Sequence, residues 1–295
     1  MKTYSFYPGC FVEGSEVEYA KSCEKVFHEL GIEIKELEDW NCCGALELTT
    51  NKALVIALSA RNASIAERMG YECIVPCNIC YNNLKKAEHE IKNKTKVGEI
   101  AAKALKKAGI NYEAKIPIRH LLDVLINDVG IEEIKAHVKK PLSGLKVAPY
   151  YGCLVVRPSK ICAFENPVNP TSMDNILETL GAEVINFEHK VKCCGGSTLM
   201  GDRDTSFELS ARILGEAVRK GADCIAVVCP MCHTMLDGQQ AMIENHTRMK
   251  FGIPVLYLTQ LMGIAMGLSS SDVALDKNII PAENILNKIS KEGGV

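Results

Sequence analysis

The chain carries the stretch Tyr7-Pro8-Gly9-Cys10 and repeats it, with one substitution, as Tyr150-Tyr151-Gly152-Cys153. Further matches keep the same order in both halves: Cys42-Cys43-Gly44 with Cys193-Cys194-Gly195, Leu58-Ser59-Ala60-Arg61 with Leu209-Ser210-Ala211-Arg212, and Cys77-Asn78-Ile79-Cys80 with Cys229-Pro230-Met231-Cys232. Because chance similarity does not stay in register over such a span, the sequence predicts a duplication. A short segment, Lys139 to Gly144, is typical of a linker, so we expect domains at residues 1–143 and 144–295.

Strand-like and helical patterns alternate within each half. Short apolar stretches predict strands at 2–7, 32–37 and 73–75, and again at 146–151, 183–187 and 224–228. Apolar residues at helical spacing predict helices at 19–30 and 52–69, and again at 172–180 and 206–220. The alternation predicts an α/β fold of two pseudo-symmetric Rossmann-like domains, each a small parallel sheet flanked by helices. Each cysteine group follows a strand, at the edge where open α/β sheets bind ligands.

The composition is unusual only in its cysteines, of which the 295 residues include 14. The formal net charge is −2, and no long block of like charge suggests nucleic-acid binding. The first ten residues are too polar for a signal peptide, and the longest apolar run, near 253–268, is short for a bilayer span. We therefore expect a cytoplasmic protein, in which clustered thiols indicate metal binding or catalysis rather than disulfides.

Ten of the cysteines form two sets of five with the same spacing pattern. Thiolates are soft ligands for iron–sulfur clusters, zinc and copper(I). Zinc and an ordinary cubane cluster each need four ligands, so five favour a less ordinary cluster, and adjacent cysteines suit a bulky one. The candidate ligands are Cys10, Cys42, Cys43, Cys77 and Cys80, and Cys153, Cys193, Cys194, Cys229 and Cys232. We expect Cys73 and Cys224 to pack inside strands, and Cys23 and Cys162 not to be ligands.

Other motifs are weaker or missing. The chain has no G-x-G-x-x-G, no P-loop and no bacterial ferredoxin motif, so electrons have to be exchanged with another protein. The segment Cys229 to His233 fits a haem-attachment pattern, but the first half has Tyr81 where the second has His233. His120 and His189, and the basic pair Arg157 and Lys160, are further candidates for which an ordinary structural or solvated role is at least as well supported.

These motifs resemble the CCG cysteine-rich domain family, in which a single cysteine, an adjacent pair and a C-x-x-C motif follow one another. Both copies fit, and with the following helices they cover almost the whole chain. Within the family, the stretch 151–158 and the segments 165–167 and 170–174 are most similar to the B subunit of heterodisulfide reductase.

The resemblance implies two [4Fe-4S] clusters of the noncubane type, one on each set of five cysteines. It implies a catalytic component that reduces the disulfide of coenzyme M and coenzyme B to two thiols, a disulfide reductase of methanogenesis. It also implies two partners in the reductase complex: a small [4Fe-4S] protein, its C subunit, that delivers electrons, and a flavin-containing protein, its A subunit, upstream.

Two alternatives remain. Related CCG proteins relay electrons or handle a sulfur carrier in complexes that oxidise lactate, glycolate, glycerol 3-phosphate, succinate or sulfur. A zinc-binding protein without catalysis belongs to a different class, since C-x-x-C with two more cysteines makes a good tetrahedral site. Two complete five-cysteine sets argue against zinc in both.

Overall fold

Each half of the protein forms a four-stranded parallel sheet in the computed structural model, which describes residues 2–45 and 50–292. The strand order is β2-β1-β3-β4 in the first sheet and β6-β5-β7-β8 in the second. The strands are β1 (Lys2–Phe6), β2 (Ile32–Glu36), β3 (Cys73–Val75), β4 (Ile118–His120), β5 (Lys146–Tyr150), β6 (Glu183–Val184), β7 (Cys224–Val227) and β8 (Val255–Tyr257). The predicted fold class is confirmed: the two sheets have the same order and the same parallel pairing.

Helices connect the strands and cover both sheets. The first half contains α1 (Gly9–Gly14), α2 (Val17–Glu29), α3 (Lys52–Met69), α4 (Asn78–Lys92), α5 (Lys96–Lys107), α6 (Leu121–Val124) and α7 (Ile131–Ala136). The second contains α8 (Ser159–Cys162), α9 (Ser172–Thr179), α10 (Arg203–Arg219), α11 (Pro230–His233), α12 (Gln240–Thr247), α13 (Leu258–Ala265) and α14 (Glu283–Glu292). None of the helices within residues 2–45 and 50–292 combines the length and the apolarity that crossing a bilayer requires.

The helix after the cysteine pair begins in the same way in both halves. Asn51 caps α3 by accepting the N–H of Leu54, and Asp202 caps α10 by accepting the N–H of Thr205. A side-chain oxygen at this position satisfies a backbone donor that the first helical turn leaves free. Gly70 ends α3 in the left-handed conformation, so the predicted helix at 52–69 is confirmed.

One predicted strand is shorter than the periodicity suggested. The apolar stretch at 183–187 contributes only Glu183–Val184 to the sheet. Its last residue, Phe187, is buried in the core, and the following segment turns so that the carbonyl of Lys190 accepts the N–H groups of Tyr151 and Gly152. The packing of Phe187 into the core thus ends the pairing with β5 earlier than the predicted strand at 183–187 required.

The two halves pack against each other along several helices. Helix α2 lies against α13, α4 against α8, and α7 against α9. Tyr19 of α2 stacks on Tyr257 with ring centroids 3.8 Å apart, and both rings are buried. The boundary between residues 143 and 144 lies just before β5 and stays a prediction.

A charged network joins β1, β4 and the π-helical turn Leu125–Val129. Asp128 accepts hydrogen bonds from Lys2 and Tyr4 of β1 and, at 2.7 Å, from Arg119 of β4. Burial opposes ionisation of the Asp128 carboxyl, but these three donors outweigh it and lower its pKa to about 2. The carboxylate therefore ties the outer strand of the first sheet to its centre.

Candidate functional site

The candidate ligands gather at the carboxyl ends of three strands in each half. Cys10 lies in α1 after β1, the pair Cys42 and Cys43 lies in the loop after β2, and Cys77 and Cys80 follow β3. The second half places its five equivalent cysteines after β5, β6 and β7 in the same way. The cysteines therefore lie at the carboxyl edge of each sheet, near the two central strands between which the strand order reverses. Open α/β sheets bind their ligands at this place, as the sequence predicted.

Repeated residues hold the loop that carries the cysteine pair. The Tyr7 hydroxyl donates to the carbonyl of Asn41, and the Tyr150 hydroxyl donates to the carbonyl of Lys192, both at 2.8 Å. The serine of the repeated Leu-Ser-Ala-Arg tetrapeptide acts on the other side of the loop: Ser59 donates to the carbonyl of Cys43 at 3.1 Å, and Ser210 to that of Cys194 at 2.6 Å. These bonds explain why tyrosine and serine recur with the cysteines.

Glycines leave room for the sulfurs. Gly9 and Gly152 have left-handed φ angles of +74° and +73°, which favour glycine. A Cβ on Gly9 would lie 3.0 Å from the Sγ of Cys80, and a Cβ on Gly152 would lie 3.1 Å from the Sγ of Cys232. Both positions therefore need glycine for their backbone conformation and for the space beside a cysteine sulfur.

The sulfurs of the first half converge. The Sγ atoms of Cys10 and Cys42 are 3.9 Å apart, and those of Cys43 and Cys80 are 3.5 Å apart. The sulfur of Cys77 interacts with that of Cys80 across one helical turn. Cys10 and Cys42 are exposed, whereas the other three cysteines are buried, so one side of the group faces solvent and the other faces the protein interior.

The second half repeats these sulfur pairs, and the two groups meet. Cys153 interacts with Cys193, and Cys232 interacts with both Cys194 and Cys229. The sulfur of Cys229 also interacts with that of Cys77 in the first half. The two groups of five are therefore adjacent through one buried cysteine of each C-x-x-C motif.

The proximity of the thiols sets their ionisation. Hydrogen bonds from Cys10 and Cys43 lower the pKa of Cys42 to about 2. Donating to Cys42 raises the pKa of the Cys43 thiol to about 11. In the second half, hydrogen bonds from Cys153 and Cys194 lower the pKa of Cys193 to about 2, and donating to Cys193 raises the pKa of Cys194 to about 12. Ionising a second cysteine of either group would place another negative charge beside the first thiolate. A nearby positive charge is then needed, and a metal centre supplies it.

The neighbouring donors suit anionic sulfur. The N–H of Gly44 points to the Sγ of Cys42 at 3.5 Å, and the N–H of Gly195 points to the Sγ of Cys193 at 3.3 Å. The first half adds Asn83, whose Nδ2 donates to the Sγ of Cys43 at 3.6 Å. Its equivalent in the second half is Met235, which has no such donor. Thiolate donors, glycine spaces and N–H groups together fit an iron–sulfur cluster in each half.

A buried polar network links the halves behind the second group. The Glu16 carboxylate accepts hydrogen bonds from His233 at 2.6 Å, Thr234 at 2.5 Å and Tyr257 at 2.7 Å. Burial opposes a charged imidazole, but the bond to Glu16 outweighs it and raises the pKa of His233. Burial and the adjacent Glu16 carboxylate raise the pKa of Glu18 to about 7. These groups satisfy one another and position α11, which carries Cys232.

The weaker candidates have structural partners. His189 pairs with Glu216, and Arg157 donates to two backbone carbonyls, those of Val191 and Pro167. Burial lowers the pKa of His120 to about 4, and its Nδ1 accepts the N–H of Leu122. Cys73 and Cys224 are buried in strands, as expected, and Cys162 contacts Asn82. The two histidines, Arg157 and the two strand cysteines therefore lie outside the sulfur groups.

Sequence reasoning missed Asn78, Asn83 and Glu16. The two asparagines lie within and just after the first C-x-x-C motif, and the second copy has proline and methionine there. That departure from the repeat was the available signal. Glu16 had no comparable signal, because its partners are more than two hundred positions away along the chain.

The fold and the two thiol-lined sites define a class of duplicated α/β proteins with five clustered cysteines in each half. Residues 4–85 and 147–237 match the CCG cysteine-rich domain, and the chain belongs to this family. The resemblance predicted from the motifs is thereby confirmed.

Curated relatives extend over nearly the whole chain. The 8-methylmenaquinol:fumarate reductase membrane anchor subunit of Wolinella succinogenes is 35% identical over 96% of this chain and 99% of its own length. The B subunit of the ferredoxin/F(420)H(2)-dependent CoB-CoM heterodisulfide reductase of Methanosarcina acetivorans is 31% identical over 98% of this chain and 97% of its own. A protein of Archaeoglobus profundus that is described as like the B subunit of heterodisulfide reductase is 30% identical, with 98% of both chains covered. The protein is thus related to subunits of oxidoreductase complexes.

A solved structure shares the fold. A hypothetical protein from Helicobacter pylori superimposes with a TM-score of 0.75 at 17% identity. The match covers 95% of this chain, which spans 52% of the length of that protein. At this identity the similarity concerns the fold alone.

Proposed function

We propose that the chain binds two [4Fe-4S] clusters of the noncubane type, one on each group of five cysteines. The observation that carries this proposal is the convergence of equivalent sulfurs at equivalent sheet edges, beside glycines that leave space for them. The ligands would be Cys10, Cys42, Cys43, Cys77 and Cys80 in the first site, and Cys153, Cys193, Cys194, Cys229 and Cys232 in the second.

We further propose that the protein is the catalytic component of a heterodisulfide reductase that converts the coenzyme M–coenzyme B disulfide to two thiols. Relatives at 31% identity are named as B subunits of that reductase, and the two sites lie next to each other through Cys77 and Cys229. The reaction consumes two electrons and two protons for each disulfide. When bound, two clusters supply the one-electron redox chemistry that such a two-electron reduction needs.

The protein's own residues would shape the place where the second cluster binds. All five candidate ligands of the second half line one small cavity, which Ile79, Leu154 and Met231 also border. Apolar side chains there exclude water and leave few competing donors. Gly44 and Gly195 hold the outer thiolates of the cysteine pairs through their N–H groups.

We place the chain in a cytoplasmic complex in which a small [4Fe-4S] C subunit and a flavin-containing A subunit bring electrons to it. Relatives named as parts of reductase complexes support an assembly of this kind. The chain lacks sequence motifs for a flavin or nucleotide of its own, which supports an external electron source.

A second candidate function is electron relay without disulfide chemistry. The 35% identity to part of a quinol:fumarate reductase favours it. In that case both clusters would pass electrons between partner proteins, and a small disulfide would not be turned over. A zinc-binding protein without redox chemistry is the remaining alternative.

Metal analysis of anaerobically purified protein tests the cofactor. We expect about eight iron atoms and matching acid-labile sulfide per chain, with little zinc. Cys229→Ala should lose about half of the iron, because only the second site loses a ligand. Cys23→Ala is the matched control: this cysteine is buried on α2 outside both groups, so its iron content should equal the wild type. Colourless protein with stoichiometric zinc would contradict the proposal.

Turnover separates the two redox functions. Wild-type protein supplied with a reduced viologen dye should release two thiols for each coenzyme M–coenzyme B disulfide consumed. Fully loaded protein that exchanges electrons with the dye but leaves the disulfide intact would instead support the relay function.

A further inference from the structure

Helix α5 carries a basic surface that has no counterpart in the second half. Residues 93–117, which include α5, separate α4 from β4, whereas only residues 248–254 separate α12 from β8. The duplicated fold therefore completes its second sheet without such a helix. The segment 92–107 contains six lysines and one acidic residue, Glu99, although the formal net charge of the whole chain is −2. We call these lysines the α5 basic face: Lys92, Lys94, Lys96, Lys103, Lys106 and Lys107.

All six side chains of the α5 basic face are exposed, and none of them forms an ion pair within residues 2–45 and 50–292. Lysines on either side of the segment differ in this respect: Lys85 pairs with Glu88 at 2.7 Å, and Lys115 pairs with Glu113 at 2.6 Å. The positive charge of the α5 basic face is therefore not neutralised by the protein itself.

Helical spacing collects part of this charge on one stripe. Lys96, Ile100, Lys103 and Lys107 follow one another at intervals of three or four residues, which places them on the same side of the helix. Ile100 is 52% exposed in the middle of the stripe. Because other residues separate these lysines along the chain, the sequence does not show them as a block of like charge.

The opposite side of α5 fixes the helix on the protein. Ala101 and Leu105 are buried, and the helix packs against α3 and α4. A Cβ on Gly98 would lie 2.1 Å from the backbone oxygen of Glu90, so α5 approaches the backbone of α4 closely there. Thr95 caps the helix by accepting the N–H of Gly98. The lysines are therefore carried by a folded surface and not by a mobile tail.

We propose that the α5 basic face is an interaction surface for an anionic lipid bilayer, to which the protein binds peripherally. Lysine clusters of this size on an amphipathic helix are typical of surfaces that bind acidic phospholipids. An acidic protein fits less well, because lysine is depleted at protein–protein interfaces and its long side chain loses entropy when it is fixed there. The apolar side of α5 is packed on α3 and α4, so the contact is electrostatic and the helix does not insert.

The α5 basic face begins well away from the sulfur groups. Helix α4 starts directly after Cys77 and ends at Lys92, so about 20 Å of helix separates these two residues. Binding of a bilayer at α5 is thus compatible with access of other molecules to the edge where the cysteines gather. The inference goes beyond the proposed function and does not depend on the reaction that the clusters carry out.

The test is co-sedimentation of the iron-loaded, full-length chain with lipid vesicles at low salt. Vesicles of phosphatidylcholine that contain phosphatidylglycerol should bind the protein, whereas vesicles of phosphatidylcholine alone should not. Added salt should release the protein, because ions screen exposed charges. Lys103→Gln together with Lys107→Gln should weaken binding about 25-fold, from about five-fold for each lysine near an anionic surface.

Lys135 and Lys140 provide the matched control, since both are exposed and lie outside the α5 basic face. Lys135→Gln together with Lys140→Gln removes the same charge from the chain and should bind the vesicles like the wild type. Both double variants should keep the iron content of the wild type, because the four side chains are exposed and lie outside the sulfur groups.

Three results would overturn the inference. The wild type could fail to bind the anionic vesicles at low salt. The two double variants could weaken binding equally, which would mean that the net charge of the chain decides binding and not the α5 basic face. The variant at Lys103 and Lys107 could bind the vesicles like the wild type, and loss of a co-purifying acidic protein from that variant would then assign the face to a protein partner.

Discussion

Replacing Gly152 by alanine tests whether the space beside the second sulfur group is needed for cluster binding. The residue has a φ of +73°, and a Cβ there would lie 3.0 Å from Nδ2 of Asn78 and 3.1 Å from Sγ of Cys232. Gly221 is the matched control, because its φ is +74° and a Cβ there would meet nothing within 4 Å. Both variants carry the backbone strain, but only Gly152→Ala also crowds the site.

The geometry gives the size of the difference. A left-handed conformation costs a residue with a Cβ about 1–2 kcal/mol, and both variants should lose this amount of unfolding free energy. Crowding in a packed site costs about 1–3 kcal/mol more, and here it acts on Cys232 and Asn78. Gly152→Ala should therefore lose about 2–5 kcal/mol in total, against about 1–2 kcal/mol for Gly221→Ala.

Two measurements on anaerobically purified protein decide the matter: the iron and sulfide content, and the thermal unfolding midpoint. We expect Gly152→Ala to lose about half of its iron, because the second site is distorted, and to unfold at a lower temperature than the control. Gly221→Ala should keep its iron. If the two variants have the same iron content and the same midpoint, the close approach between Gly152 and the sulfur is not required for the site.

Three further outcomes follow from named contacts. Glu16→Ala removes the buried carboxylate that accepts hydrogen bonds from His233, Thr234 and Tyr257, so urea unfolding should show a loss of about 3–5 kcal/mol; a loss below about 1 kcal/mol would mean that the network contributes little. Asn83→Met installs the residue type of the equivalent second-half position and removes the donor to the Cys43 sulfur. In an EPR-monitored redox titration it should lower the reduction potential of the first site only, and equal shifts at both sites would contradict this role. Asp128→Asn should reduce stability at pH 7 by about 1–3 kcal/mol. The difference in unfolding free energy between the wild type and this variant should shrink as the pH falls from the ordinary aspartate pKa of 3.8 towards about 2, because the pKa of Asp128 is lowered in the folded state. A difference that stays constant in acid would argue against the stabilising role of the Asp128 carboxylate.

Much of the site could be read from the repeat. The recurrence of Tyr7 as Tyr150 and of Ser59 as Ser210 looked like general similarity, yet each pair holds the cysteine-pair loop in the same way. Alternating strands and helices put every cysteine group after a strand, and the parallel sheets then bring these groups to one edge. Strand ends were less predictable, as the two-residue β6 shows, because core packing decided where the chain left the sheet.

The sequence alone determined the duplication, the fold class and which ten cysteines gather in two groups. These features depend on spacing, turn glycines and apolar periodicity, which act between residues close in the chain. Only the tertiary structure decided how the halves meet: Cys77 beside Cys229, Asn78 in the cavity of the other half, and Glu16 against His233. The reason is that such contacts depend on the packing of whole helices and sheets against one another, and no local pattern in either half specifies that packing.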